Sequence, residues 1–173
     1  MKENLYLIIG IPFLTIILNA IREFLMSNYS SKKQKELYIH QKNFEKRFDL
    51  SQKLWDLLTE NMRHTIQLRP RMDYVDRTKS KDEVKEERLR LWNNSHNDLK
   101  TSFLSGKPYY SASLKTLIEK FIEKSNEEAT EYYFTKLEAD NRKEYFNQSE
   151  ENSKVLESIL DEIKSEISNQ NQI

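Results

Sequence analysis

Residues Asn4 to Ile21 read NLYLIIGIPFLTIILNAI without one charged side chain, and Glu3 and Arg22 bracket them. At ~1.5 Å rise per residue a helix of this run spans roughly 27 Å, close to the ~30 Å hydrocarbon core of a bilayer. Eleven Ile, Leu and Phe side chains lie inside it. At about −0.3 to −0.6 kcal/mol each they favour insertion by roughly 3 to 7 kcal/mol, before the costs of Asn19, Pro12 and Gly10. The run predicts a single transmembrane anchor over 1–22, with Leu5, Ile8, Ile9, Pro12, Phe13, Ile16 and Ile17 as anchoring residues. Pro12 is expected to kink the helix or to mark its regular start. A cleaved signal peptide fits less well: its charged leader would be Met-Lys-Glu-Asn, and Leu18-Asn19-Ala20 puts a large residue where cleavage wants a small one. Arg22, Lys32, Lys33, Lys35, Lys42, Lys46 and Arg47 follow the run, against Lys2 and the amino terminus before it. The excess of basic residues after the run places the rest of the chain in the cytoplasm.

Beyond the run helix breakers are scarce. Gly is 2 and Pro is 3 in 173 residues, so turns needing positive φ are scarce and a sheet with many hairpins is disfavoured. The expected fold is all-α: one N-terminal transmembrane helix, then an elongated antiparallel bundle of about four helices. The divisions are an anchor over 1–22, a juxtamembrane hinge over 23–34 centred on Asn28-Tyr29-Ser30-Ser31 (the alternative being a helix that continues directly from the anchor through Phe24 to Ser31), a bundle over 35–168, and a frayed tail over 169–173. Four apolar stripes define the bundle. Leu37, Gln41, Phe44, Phe48, Ser51, Trp55, Leu58, Met62 and Ile66 recur at steps of three and four, until Pro70 ends the helix. Residues 70–81 read as a loop, with Ser80 or Asp82 capping a second helix whose stripe is Val84, Leu91, Trp92, Ser95, Leu99 and Phe103. Gly106-Lys107-Pro108 stops it. Ser111 or Ser113 opens a third helix through Leu114, Leu117, Ile118, Phe121, Ile122, Ser125, Ala129, Tyr132, Tyr133 and Leu137, running as far as Phe146. Polar residues 147–152 predict a break, and Val155, Leu156, Ile159, Leu160, Ile163 and Ile167 a last helix.

Chemistry is sparse. With Cys 0 there is no thiolate ligand or nucleophile. Glu36 precedes His40 by four residues and Glu60 precedes His64 by four, whereas helical di-iron sites use a spacing of three. No phosphate loop, Gly-x-Ser-x-Gly or His-Glu-x-x-His is present. No enzyme activity, metal or cofactor is expected. Charge is uneven: from Glu119 onward there are 7 basic and 14 acidic residues, leaving 21 basic and 14 acidic before it. Arg63, Arg69, Arg71, Arg77, Lys79 and Lys81 form a candidate patch for a small anionic ligand. Interleaved Asp73 and Asp76, and overall neutrality, argue against nucleic acid as the partner. Tyr109, Tyr110, Tyr132, Tyr133 and Phe134 form a candidate interface, because adjacent helical residues differ by about 100° and cannot all face one core. The expected function is a membrane-anchored, non-enzymatic interaction or accessory protein. Its partners are membrane lipid through the anchor, and a second protein or another copy of itself through the bundle. The alternatives are a tethered sensor of a small anion and a secreted helical protein.

Overall fold

The computed structural model describes the backbone of residues 3–70, 78–135 and 142–170, and the side chains of 18–70, 78–135 and 143–170. The described residues form four α-helices and a single 3₁₀ turn: α1 (Glu3–Leu68), α2 (Lys81–Gly106), the turn Lys107–Tyr109, α3 (Ala112–Phe134) and α4 (Arg142–Gln170). Two compact units divide the chain, residues 1–45 and residues 46–173. The first is the N-terminal part of α1 alone. Its backbone is helical through 23–34, where a hinge was expected at Asn28–Ser31.

The helix ends follow from local chemistry. Pro70 disfavours helical geometry at Arg69, and the Arg88 Nη1 donates to the Leu68 carbonyl at 3.4 Å. Ser80, not Asp82, caps α2. Its Oγ accepts from the Glu83 amide at 3.2 Å while the Glu83 carboxylate accepts from the Ser80 amide at 2.6 Å, a reciprocal capping box. Ser111, not Ser113, caps α3, accepting from the Leu114 amide at 3.0 Å. Its hydroxyl also donates to Glu166 near the end of α4 at 2.8 Å. Gly106 ends α2 for space rather than for backbone freedom. Its φ is −86°, and a Cβ there would lie 2.3 Å from the Tyr110 hydroxyl oxygen.

In residues 46–173, the contacts pair each helix antiparallel with the next. Asn61 meets Ser95 and Leu68 meets Arg88; Trp92 meets Ser125 and Lys85 meets the Tyr133 carbonyl; Glu128 meets Asn152 and Ser111 meets Glu166. The unit is an antiparallel helical bundle. Its larger apolar cluster joins Leu54, Leu58, Met62, Leu99, Phe103, Leu114, Ile118, Phe121, Leu156, Ile159 and Ile163 with Tyr110. A smaller one joins Leu68, Trp92, Ala129, Tyr132 and Tyr145.

Three expectations need correction. The stripe from Leu37 to Phe48 is not core: Leu37, Phe44 and Phe48 are exposed, and burial begins at Ser51. The third helix stops at Phe134, where Thr135 turns extended (φ −80°, ψ 127°); Leu137 lies outside the described residues. The expected break over 147–152 is inside α4, and two of its polar residues serve the bundle's interior: Ser149 is buried, and Asn152 donates to Glu128.

Candidate functional site

Each helix of the bundle changes from one apolar cluster to the other across buried polar residues. On α1 the change from Met62 to Leu68 passes Thr65, next to Asn61; on α2, Leu99 to Trp92 passes His96 and Ser95; on α3, Phe121 to Ala129 passes Ser125 and Glu128. Asn61, Thr65, Ser95 and Ser125 bond one another. The Asn61 Nδ2 donates to Ser95 Oγ at 3.1 Å, and Ser95 Oγ donates to the Trp92 carbonyl at 2.9 Å. Ser125 Oγ donates to Asn61 Oδ1 at 2.8 Å and accepts from the Trp92 indole at 2.9 Å. Thr65 Oγ1 lies 2.9 Å from Ser125 Oγ and 2.8 Å from the Asn61 carbonyl, so its one proton serves either acceptor. A buried hydroxyl or amide without a partner costs ~1–3 kcal/mol, so mutual satisfaction lets this layer sit in a core.

His96 shares the layer. Its ring packs on Trp92 with centroids 4.6 Å apart, and its Nδ1 is buried without a hydrogen-bond partner. Burial, reinforced by Lys100, pushes its pKa down to about 4, so the ring is neutral near pH 7.

A second polar group ties α1 to α3 and α4. The Arg69 side chain is 1% exposed and that of Glu128 3%. Arg69 Nε lies 2.8 Å from Glu128 Oε1, but neither atom finds a well-aligned hydrogen bond, so the contact is a charge pairing at close range. Arg69 Nη2 donates to Glu131 at 2.8 Å and Nη1 to the Tyr145 carbonyl at 3.4 Å. The guanidinium carbon sits 4.6 Å from the centre of the Tyr145 ring, as cation–π attraction favours. The Asn152 amide donates to the other Glu128 oxygen at 2.7 Å. Burial raises the Tyr145 pKa to about 12, opposed by the Arg69 charge.

Of the expected cationic patch, the described residues are Arg63, Arg69, Lys79 and Lys81. Arg69 turns into the core instead of facing a ligand, because Glu128 and Glu131 neutralise it there. Arg63 is exposed beside Glu60 at 3.7 Å, Lys79 pairs with Glu87 at 2.6 Å, Lys81 is exposed, and Arg71 and Arg77 lie outside the described residues. The aromatic set divides too. Tyr110 and Tyr132 are core, and Tyr109 is half-buried beneath the Lys46 ammonium at 4.8 Å. Tyr133 and Phe134 are 59% and 75% exposed and meet edge to face at 4.9 Å. With Leu89, Trp92, Ala129 and Thr130 they line an open, mainly apolar groove between α2 and α3. Sequence reasoning missed the Arg69 group. Its signal was an Arg and two Glu residues some 60 positions apart, which no local spacing connects.

Among the described residues, no three His, Asp or Glu side chains converge as a metal site would require, and no helix is long and apolar enough to cross a membrane. The anchor side chains Leu5, Ile8, Ile9, Pro12, Phe13, Ile16 and Ile17 lie outside the described residues. Comparison with protein-family models, with curated proteins and with solved structures finds no match.

Proposed function

We propose that the chain is a single-pass membrane-anchored accessory protein without enzyme activity, whose helical bundle sits in the cytoplasm and docks a protein partner or a second copy of itself. The observation that carries this reading is the charge-free run Asn4–Ile21, with Arg22, Lys32, Lys33 and Lys35 on its trailing side. The bundle supports the non-enzymatic part: Asn61, Thr65, Ser95 and Ser125 bond one another rather than offering groups to a reactant. The docking surface is the groove with Tyr133 and Phe134 at its edge, since exposed aromatics gather at the centres of interfaces. A tethered anion sensor acting through Arg63–Lys81 is the weaker reading, because Arg69 is consumed inside the core.

Membrane fractionation tests the anchor. Full-length protein should stay with membranes through high salt and alkaline carbonate, and protease added to right-side-out vesicles should spare the bundle. Release by carbonate, or a mature protein starting near Ile21, refutes the anchor. Sedimentation of the detergent-solubilised chain, with and without Tyr133→Ala and Phe134→Ala, tests whether the groove drives self-association; a monomer in both cases leaves the heterologous partner.

A further inference from the structure

Beyond the charge-free run, α1 continues to present large apolar side chains. Phe24, Leu25, Met26 and Tyr29 are between 61% and 67% exposed. Consecutive helical positions differ by about 100°, so Phe24, Leu25 and Met26 point to three sides of the axis. A protein partner covers one stripe at steps of three and four, as Leu37, Phe44 and Phe48 are spaced further on. Apolar groups on every side call for an environment that encircles the helix, and lipid is such an environment.

Lengths agree with this. From Asn4 to Tyr29 is 26 residues, roughly 39 Å of helix, against ~40–45 Å for a bilayer with its headgroup layers. Phe24 to Tyr29 then lie at headgroup depth, where aromatic belts collect. Lys32, Lys33 and Lys35 come next, all exposed, and no ion pair among the described residues engages them. Lys35 lies six positions past Tyr29, roughly 9 Å of rise, close to the ~8 Å Debye length at physiological salt. Between positions 22 and 36 the opposing acids are Glu23 and Glu36.

We infer that residues 22–35 of α1 form a collar selecting anionic lipid headgroups: Phe24, Leu25, Met26 and Tyr29 hold the headgroup layer, and Lys32, Lys33 and Lys35 pair with its negative charge. The inference rests on the membrane-anchored reading above. Each lysine near an anionic leaflet contributes ~1 kcal/mol, or about fivefold, so three together favour an anionic over a zwitterionic surface on the order of a hundredfold.

The test uses the full chain reconstituted in vesicles of equal parts phosphatidylcholine and phosphatidylglycerol, then excised with its annular lipid in polymer nanodiscs. Retained lipid should be enriched several-fold in phosphatidylglycerol, and Lys32→Gln/Lys33→Gln/Lys35→Gln should return the ratio to that of the vesicle. No enrichment, or the same enrichment in the triple variant, overturns the collar. Enrichment abolished by millimolar inorganic phosphate at constant ionic strength also overturns it, since the lysines would then be a free-phosphate site. Carbonate extraction of the same vesicles separates the two readings: an extractable chain defeats the anchor, whereas an embedded chain without enrichment defeats only the collar.

Discussion

Replacing Arg69 by Met should be among the most damaging single changes in the bundle. The substitution keeps an unbranched, apolar stem of similar reach but removes the only basic group that the described residues place against Glu128, whose side chain is 3% exposed. Glu128 would keep the Asn152 amide alone. Breaking a buried pair from one side leaves an uncompensated charge and costs ~3–5 kcal/mol. Glu131 adds little, because its side chain is 37% exposed and water screens it. Against a total stability of ~5–15 kcal/mol this is about a fifth or more. At ~4 °C per kcal/mol for a domain of this size, the midpoint should fall by roughly 12–20 °C. Thermal unfolding of full-length protein in detergent, followed by tryptophan fluorescence from Trp55 and Trp92, reads the change inside the bundle. The double variant Arg69→Met/Glu128→Gln removes both charges, and it should recover most of the loss. A fall below ~1 kcal/mol for the single variant, or a double variant no better than the single, would refute the argument that Arg69 neutralises a buried carboxylate.

His96 makes the bundle acid-sensitive. Its folded pKa of about 4 lies below the ordinary 6.5, so the unfolded chain binds the proton more readily. The stability due to the neutral ring is present above pH 6.5 and is lost as pH falls toward 4, roughly 3 kcal/mol in all; a His96→Phe variant should show a flatter urea-midpoint profile across that window, and parallel profiles would count against the buried ring. Gly106→Ala should cost ~1–3 kcal/mol by forcing the Tyr110 ring from the end of α2, and Gly106→Ala/Tyr110→Ala should lose less than the sum of its single changes; strict additivity in urea melts would argue against the clash. Ser125→Ala should cost ~1–3 kcal/mol, because Asn61 Oδ1 and the Trp92 indole both lose their partner; an unchanged midpoint would mean that water fills the layer.

The helix ends were the most legible part of the fold, since their causes are local. Pro70, the Ser80–Glu83 box, Gly106 and Ser111 each act within four residues. The end of α3 at Phe134 had no such signal: residues 135–146 contain neither Gly nor Pro, and the polar residues 147–152 suggested a break more than ten positions too late. Among them Ser149 is buried and Asn152 donates to Glu128, and a polar residue shows its inward role only once a distant partner is placed beside it. Leu37, Phe44 and Phe48 failed in the opposite direction. They keep the spacing of Ser51, Leu58 and Met62, yet remain exposed. Periodicity establishes that a face is apolar, not that anything covers it.

Ser51, Ser95 and Ser125 already stood in the apolar stripes as apparent blemishes, and Ser95 and Ser125 explain how the bundle selects one register. Apolar side chains of similar size tolerate sliding by a turn, because one leucine replaces another with modest loss. The polar layer does not tolerate it. If α1 slipped by one turn along its neighbours, Asn61 would leave both Ser95 and Ser125, and Thr65 would leave Ser125. Three or four buried groups would lose partners together, at ~1–3 kcal/mol each, comparable to the whole stability of a domain. The layer therefore contributes little net stabilisation in the native register and a large penalty in every other, as single buried polar positions do in coiled coils. With Arg69, directly after the end of α1, fixed eight positions beyond Asn61, two such levels hold the helix, and only one axial placement satisfies both.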